Sequence, residues 1–352
     1  MLNHFFFLLY YDMMILGDYM KRHLFTILLC LVLTGVVVYK IDFIVNYISK
    51  YFNSTPNIVV EKKNQYAKNM DFEYVQITDD FVPYNIQDLL NIFYTILDSG
   101  YETFTFYCPN EYEDCVKDII MISDKENSEI LTTLGNYISP YNNFTYFNVS
   151  YDNLGEITVD IKHLYTPEEI NKISNKIDAI WKEIVKPDMK QEDIIYAFHD
   201  YIINHSQYDL LYEQELKEYE KEVQEFYRIN GEDTKLRPPE FDPTYDSNKA
   251  IGPLFQEKAI CSGYTDTMAI LLDKLGTKNF KVASESHVWN VVYINGEWLH
   301  IDLTWDDPVS KDQNGNVIDT LLHKFYLIDT KTLEEFKIDN HTYDKSIYLE
   351  LK

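Results

Sequence analysis

From about residue 71 onwards, segments with two different spacings of apolar residues follow one another along the chain. Each spacing predicts a different kind of element. Three- and four-residue spacing, typical of a helix with one buried face, occurs in NIQDLLNIFYTILDSG and in YEDCVKDIIMI. Every-second-residue alternation, typical of a half-buried strand, occurs in YETFTFYC and in NFTYFNVSYDNLGEITVDIKHLY. The sequence therefore predicts a small α+β domain over residues 71–165, whose role it leaves open.

Helical spacing dominates the region that follows this domain. TPEEINKISNKIDAIWKEIV begins with a capping box, in which Thr166 and Glu169 each accept a hydrogen bond from the other's backbone N–H. A second helix is expected over about residues 188–204. The segment AICSGYTDTMAILLDKLG predicts a third helix, which begins at Cys261.

The segment HVWNVVYINGEWLHIDLTWDDP predicts two strands joined by a tight turn. The Asn-Gly pair at 295–296 is a strong signal for a two-residue hairpin turn, which places Ile294 opposite Glu297. Because alternate residues of a strand share a face, His287 and Asp302 then lie on the same side of the sheet as diagonal neighbours. A three-residue turn would place them on opposite faces.

Three side chains in these elements form a candidate catalytic set. At a helix N-terminus the free N–H groups and the positive end of the helix dipole favour the thiolate of Cys261, which is the nucleophilic form. His287 would take the thiol proton, and Asp302 would orient the imidazole. The backbone amides of Cys261 and Ser262 are the expected oxyanion donors, and Trp289 is the expected wall of the substrate channel. A lone cysteine or histidine in such a position more often has a structural role, so the prediction depends on the combination.

These residues also carry a resemblance to a known family. AICSGYTDTMAILLDKLG, HVWNVV and WLHIDLTWDDP resemble the Cys, His and Asp boxes of the bacterial branch of the transglutaminase-like superfamily, and the likeness extends over about residues 190–335. It implies a papain-like α+β core, with N-terminal helices packed on an antiparallel sheet, over residues 166–335. It also implies the roles of nucleophile, base and orienter for Cys261, His287 and Asp302.

Other positions within the resemblance have smaller expected roles. Many bacterial relatives have Gln where this chain has Ser262, so backbone amides alone are expected to bind the oxyanion. His199, Asp200 and Tyr208 lie in AFHDYIINHSQYD, which resembles the helix before the Cys box, and we expect them to brace the site. His300 shares a face with Asp302 and is an alternative base, although local packing or hydrogen bonding is the preferred interpretation.

The N-terminal part of the chain carries one long apolar run. LFTILLCLVLTGVVVY, residues 24–39, has no charged residue and directly follows Lys21, Arg22 and His23. Such a run is typical of a membrane span, and basic residues before it favour a cytoplasmic N-terminus. The alternative, a signal peptide, lacks a small-x-small cleavage site. We therefore expect a single-pass membrane anchor over residues 20–46, with the remainder extracytoplasmic.

The remaining segments are assigned from composition. Residues 1–19 form an uncertain leader, because Met20 would itself make an ordinary start. Residues 47–70 are polar and lack a period, which predicts a linker. Residues 211–246 are rich in Glu and Lys and then in Pro, which predicts a surface insertion formed by a helix and a loop, in the position of a lid. Residues 336–352 are assigned to a C-terminal tail.

Charge and cysteine content exclude several classes of function. The chain has 57 acidic and 31 basic residues, a net charge of −26, so phosphate backbones would be repelled and nucleic acid is not an expected partner. Its four cysteines include no CxxC pair and no metal-ligand spacing, so we expect no metal and no cofactor. Cys108 and Cys115 either form a short-loop disulfide or remain separate thiols, and the sequence leaves both possibilities open.

The sequence thus predicts a membrane-anchored, extracytoplasmic thiol enzyme of the bacterial cell surface. It would attack an amide carbonyl of a protein or peptide, such as one associated with the cell wall, and act as a peptidase, an amidase or a protein-glutamine acyltransferase. One alternative is a catalytically inert scaffold that binds surface proteins or cell-wall material. Another is metal coordination by Cys261, His287 and Asp302, for which a fourth ligand is missing.

Overall fold

The computed structural model describes most of the chain after residue 58. The predicted leader, the predicted anchor over 20–46 (apart from His23) and the first part of the predicted linker lie outside the described residues. Within the described part, no helix combines the length and the apolar composition that crossing a bilayer requires. The described residues are 23, 58 and 60–352, without 125–128, 154, 232–233, 312–316 and 319.

The first half of the described chain is a small α+β unit. Its three strands form an antiparallel sheet in the order β1-β3-β2, and three helices pack around it. A disulfide between Cys108 and Cys115 joins the end of β1 to the start of α2. The elements are α1 (Ile86–Ser99), β1 (Thr103–Tyr107), α2 (Cys115–Ser123), α3 (Glu129–Tyr137), β2 (Phe144–Tyr151) and β3 (Glu156–His163).

The second half places helices before and over a four-stranded antiparallel sheet, so the mixed α+β class is confirmed. Strand order is β11-β8-β7-β6, and a short parallel pair, β4 with β5, leads into α7. The predicted capping box of α4 is present, with Glu169 N donating to Thr166 Oγ1 at 3.2 Å and Thr166 N donating to Glu169 Oε2 at 2.7 Å. The helices are α4 (Pro167–Ile184), α5 (Gln191–Asn204), α6 (Leu210–Asn230), α7 (Cys261–Leu275), α8 (Leu303–Asp306) and α9 (Thr330–Glu335). The strands are β4 (Gln207–Tyr208), β5 (Lys258–Ala259), β6 (Asn279–Ala283), β7 (Val288–Ile294), β8 (Glu297–Ile301), β9 (Ser310–Lys311), β10 (Val317–Ile318) and β11 (Tyr326–Ile328).

The two halves share a core through the two faces of β7. Val292 and Ile294 point to one side, where they pack with buried residues of α4, α5 and α7. Trp289 and Val291 point to the other side, where they pack with the α+β unit. This is the alternation expected of a strand that is buried on both faces. The sheet is therefore covered by helices on one face and by residues of the 71–165 unit on the other.

The end of the predicted linker belongs to the folded unit. The Lys68 ammonium lies 3.2 Å from the Asp273 carboxylate and donates to Asn279 Oδ1 at 3.0 Å. Tyr101 donates its hydroxyl to the Glu61 carbonyl at 2.6 Å. Side-chain partners, rather than a helical or strand ladder, satisfy this segment, which is why it shows no period. Residues 60–70 therefore differ from the linker that their composition predicts.

The segment assigned to a tail, residues 336–352, also packs into the structure. Tyr348 and Leu351 are buried in the core of the α+β unit. The Tyr348 hydroxyl accepts hydrogen bonds from Asn136 Nδ2 and from Ala283 N, both at 3.0 Å. Aromatic and leucine side chains at irregular spacing anchor this segment, so sequence period alone could not distinguish it from a tail.

Candidate active site

Cys261 lies at the N-terminus of α7, as the sequence predicts. Ile260 occupies the N-cap position and supplies no side-chain cap, so the first-turn N–H groups, which have no partner within the helix, can reach an external acceptor. A β-carbon on Gly263 would lie 2.2 Å from the Ser247 carbonyl oxygen. Only glycine permits this approach, which fixes the start of α7 against the chain that precedes β5.

The hairpin has the register that the Asn-Gly pair predicts. Asn295 and Gly296 have φ values of 54° and 92°, the positive pair of a type I′ turn. Ile294 pairs with Glu297, so residues two apart along each strand share a face.

His287 and Asp302 flank this hairpin just outside its paired strands. His287 precedes β7, and Asp302 follows β8 as the N-cap of α8. Its Oδ1 accepts the backbone N–H of Trp305 at 3.2 Å, which fixes the carboxylate. The short helix thus holds the acid in one orientation beside the imidazole.

The candidate set combines a hydrogen-bonded histidine and aspartate with a cysteine that lines the same cleft as the histidine. His287 Nε2 lies 2.6 Å from Asp302 Oδ2. Cys261 and His287 line the same cleft, and the Cys261 sulfur is close enough to raise the pKa of the His287 ring. Since Nε2 is engaged by the carboxylate, Nδ1 is the ring nitrogen available to the sulfur.

Opposite pKa shifts accompany this arrangement. Burial alone would lower the pKa of His287, but the Asp302 carboxylate and the Cys261 sulfur offset burial and raise the pKa to about 10. Burial alone would raise the pKa of Asp302, but His287 and His341 lower it to about 2. Both shifts favour an imidazolium beside a carboxylate.

Helix and sheet are joined close to the site by two hydrogen bonds. Thr265 Oγ1 donates to the Val288 carbonyl at 3.0 Å, and Asn290 Nδ2 donates to the Thr265 carbonyl at 3.0 Å. The residues involved lie one turn after Cys261 and immediately after His287. These bonds therefore fix the distance between the thiol and the imidazole.

A second histidine contacts Asp302 from the C-terminal segment. His341 Nε2 lies 2.8 Å from the same Oδ2 atom that receives His287. His341 could not be predicted as a site residue, because it lies 39 positions after Asp302 in a segment without a recognisable motif. An isolated histidine in that segment was the only signal.

Cys261 and His287 border a cleft of about 380 Å³. Tyr208 donates its hydroxyl to Glu213 at 3.2 Å, and both line the cleft. Burial raises the pKa of Tyr208 well above its ordinary value, as do Cys261 and Glu213, so this hydroxyl remains a donor. The insertion thus contributes the start of α6 to the wall. The other lining residues are Ser286, Thr304, Trp305, Asp307, Pro308, Val309 and Asn340.

Comparison with known proteins adds a weak structural similarity. The sequence matches no family model, and no curated protein matches it. A solved structure described as a crystal structure of a TGase is similar over 48% of this chain and 46% of that chain, with 16% sequence identity and a TM-score of 0.29. The chain therefore spans just under half the length of that protein. A likeness this weak carries no argument, so the chemistry of the site is inferred from its geometry.

One of the predicted site residues, Trp289, takes a different place from the one expected. Trp289 is 1% exposed and its ring stacks on His287 at a centroid distance of 5.6 Å, so it supports the imidazole from the core and does not wall the channel. Trp305 lies at the cleft instead. Two-residue periodicity predicts which face of the sheet Trp289 occupies, but it does not predict whether that face is buried. Ser262 is the second residue of α7 and is partly exposed, within the turn that holds the candidate oxyanion donors.

His300 is engaged away from the cleft. Its Nδ1 accepts the Trp289 indole N–H at 2.9 Å, and its Nε2 lies 3.1 Å from Thr330 Oγ1. Burial and the nearby His341 lower the pKa of His300 to about 3. The ring is therefore neutral and satisfied, in agreement with the preferred interpretation of local bonding.

Two of the three residues expected to brace the site, His199 and Asp200, belong to a second histidine cluster, whereas Tyr208 lines the cleft. His199 Nε2 lies 3.1 Å from Asp306 Oδ2, and the Oδ1 atom of Asp306 accepts the backbone N–H groups of Lys324 and Phe325. His323 Nε2 lies 2.7 Å from Asp200 Oδ1. The cluster joins α5 to α8 and to the chain before β11.

Two groups of described side chains place potential metal ligands within 4.8 Å of one another. Their closest approaches, between 2.6 and 3.1 Å, are hydrogen-bond distances. Ligand atoms around a tetrahedral zinc ion are separated by roughly 3.3 Å. Both groups therefore have the spacing of hydrogen-bond networks. They are His287, Asp302 and His341, and His199, Asp200 and His323.

Proposed function

We propose that this chain is a transglutaminase-like thiol enzyme that attacks an amide carbonyl through Cys261. The observation that carries the proposal is that Cys261 and His287 line one cleft while the His287 imidazole is hydrogen-bonded to the Asp302 carboxylate. A nucleophile, a base within hydrogen-bond reach and a third group that orients the base are the requirements of nucleophilic acyl transfer.

Acylation uses the three side chains in turn. His287 Nδ1 takes the proton of the Cys261 thiol, and the thiolate attacks the carbonyl carbon of the amide. Negative charge develops on the carbonyl oxygen, where first-turn N–H groups of α7 are the candidate donors. The His287 imidazolium then gives its proton to the departing amine, the C–N bond breaks, and a thioester forms on Cys261. Asp302 stabilises the imidazolium throughout.

Deacylation repeats the proton transfers with a second nucleophile. His287 takes a proton from water or from an amine, which attacks the thioester carbon. The C–S bond breaks, and the proton returns to sulfur. Water gives a peptidase or amidase, whereas a substrate amine gives a protein-glutamine acyltransferase. We propose a protein or peptide substrate, such as one associated with the cell wall, for either course.

The proposed location is outside the cytoplasm. The Cys108–Cys115 disulfide supports it, because disulfides persist in oxidising compartments and are rare in the cytosol of most organisms. The apolar run at 24–39 supports attachment to the membrane through the predicted anchor.

Trapping of the acyl-enzyme tests the proposed function. The purified protein is mixed with a library of peptides and peptide amides, quenched in acid and analysed by mass spectrometry. A mass increase localised to Cys261, and absent from a Cys261→Ala variant, is the expected result. An inert scaffold would retain peptides without a covalent adduct. That outcome, obtained with peptides shown to bind, would contradict the proposal.

A further inference from the structure

The C-terminal segment brings a second imidazole to Asp302. His341 ends a short 3₁₀ helix, Asp339–His341, and its Nε2 lies 2.8 Å from Asp302 Oδ2. The same oxygen receives His287 Nε2 at 2.6 Å. The side chains of His341, His287 and Asp302 are 2%, 4% and 1% exposed, so bulk water cannot replace either donor.

The ionised state of Asp302 determines which imidazole nitrogens are protonated. An ionised carboxylate only accepts hydrogen bonds, so both imidazoles must present an N–H at Nε2. Asp302 then accepts three bonds, because its Oδ1 also receives the backbone N–H of Trp305 at 3.2 Å. Each of these hydrogen bonds restricts rotation of the Asp302 carboxylate. The pair of imidazoles on Oδ2 therefore holds the acid more firmly than His287 alone.

The surroundings of His341 indicate that this single bond is the reason for a histidine. Its ring lies parallel to Phe325 at 5.4 Å between centroids and packs against Trp289 at 4.9 Å and Trp305 at 5.5 Å. Its Nδ1 is buried and has no hydrogen-bond partner among the described residues. An apolar ring would fill such an aromatic space without leaving a buried nitrogen unsatisfied. Only the Nε2–H bond to Asp302 offsets that cost.

The segment is held in place by the sheet and by the α+β unit. Ser284, the residue after β6, donates its hydroxyl at 2.7 Å to the carbonyl of Asn340, the residue before His341. Further along, Tyr137 donates to the Ile347 carbonyl at 3.1 Å, and Glu73 N donates to Glu350 Oε1 at 2.7 Å. The 71–165 unit, whose role could not be predicted from the sequence, thus supports the segment that reaches Asp302.

We propose that His341 is a positioning residue of the thiol enzyme, a role that rests on the proposed function. Its Nε2–H fixes the Asp302 carboxylate, Asp302 fixes the His287 ring against Cys261, and the α+β unit holds the segment that makes this contact. The C-terminal segment is on this account an integral part of the active site.

Alkylation of Cys261 by iodoacetamide, followed against pH on the full chain, tests the proposal without knowledge of the substrate. His341→Phe keeps the ring volume and removes the donor, and His341→Gln retains an N–H donor. At pH 6 we expect the rate to fall about tenfold in His341→Phe and by less in His341→Gln, as expected for one hydrogen bond to a charged group. Asp339→Asn, an exposed neighbour in the same turn, is the matched control and should react like the wild type.

The pH profile distinguishes positioning from packing. Asp302 loses a donor that favours its ionised form, so its protonation begins at a higher pH in His341→Phe. The acid limb of the alkylation profile should therefore move to higher pH in His341→Phe and move less in His341→Gln. Other titratable groups lie close to His341 and Asp302, and they are unchanged in both variants. They are His287, Cys261 and His300.

Two failures are distinguishable. If wild-type Cys261 reacts no faster than a model thiol at pH 6, the proposed function fails, and this role of His341 fails with it. If the wild type reacts rapidly and His341→Phe matches it in rate and acid limb, His341 has no positioning role and the proposed function stands. Equal losses in the Phe and Gln variants would show a requirement for the imidazole that the donor does not explain, which also contradicts the proposal.

One measurement needs no variant, and so covers the case in which the substitutions prevent folding. In the wild-type chain with ¹⁵N-labelled histidine, the ring of His341 should be the tautomer protonated at Nε2. A tautomer protonated at Nδ1 could not donate to Asp302 and would overturn the proposal.

Discussion

Two clusters in this molecule have the same composition, a carboxylate between two imidazoles, yet their surroundings differ. In the His287–Asp302–His341 cluster all three side chains are buried, and Cys261, the one free cysteine among the described residues, lines the same cleft as His287. In the His199–Asp200–His323 cluster, the Asp200 and His323 side chains are 30% exposed. The contrast teaches that the nucleophile and the cleft, rather than the His–Asp pairing, decide where chemistry can occur.

Removing one histidine from each cluster gives the largest expected difference between them. His287→Ala should slow alkylation of Cys261 at pH 6 by about a hundredfold, because the thiol loses its base. His199→Phe should leave that rate within about twofold of wild type and instead lower the free energy of unfolding by about 1–3 kcal/mol, because Asp306 is left short of a donor in the core. Alkylation kinetics and urea unfolding of both variants check the two effects. Similar decreases in the alkylation rate of both variants would contradict the different roles assigned to the two clusters.

A smaller effect is expected in the pH dependence of stability. The folded-state pKa of His287 is raised from 6.5 to about 10, so its contribution is complete below about pH 6.5 and is lost as pH rises towards 10. The folded-state pKa of Asp302 is lowered from 3.8 to about 2, so its contribution is present above about pH 4 and is lost as pH falls towards 2. The His287–Asp302 pair therefore stabilises the fold most between about pH 4 and about pH 6.5.

Urea unfolding at pH 6 and pH 9 measures this linkage. The decrease in unfolding free energy between the two values should be smaller in His287→Phe than in the wild type. An identical decrease would mean that His287 does not carry the raised pKa.

Local patterns predicted the elements that carry Cys261, His287 and Asp302. A capping box, an Asn-Gly turn and a helix start are each set by a few neighbouring residues, and the structure has all three. Alternation also gave the face of Trp289, but burial depends on what covers that face, and here the α+β unit does.

Contacts between distant segments could not be predicted in this way. His341 reaches Asp302 across 39 positions, and Lys68 reaches Asn279 across 211. Neither segment has a helical or strand period, because side-chain hydrogen bonds and scattered aromatic anchors hold it in place. Composition alone therefore assigned one to a tail and the other to a linker.

The most direct test of the central claim is the rate at which iodoacetamide modifies wild-type Cys261 at pH 6. A model thiol is almost entirely protonated at this pH and reacts slowly. If the imidazole of His287 holds the sulfur as a thiolate, modification of Cys261 should be at least about tenfold faster than that of the model thiol. A rate equal to or below that of the model thiol would contradict the account.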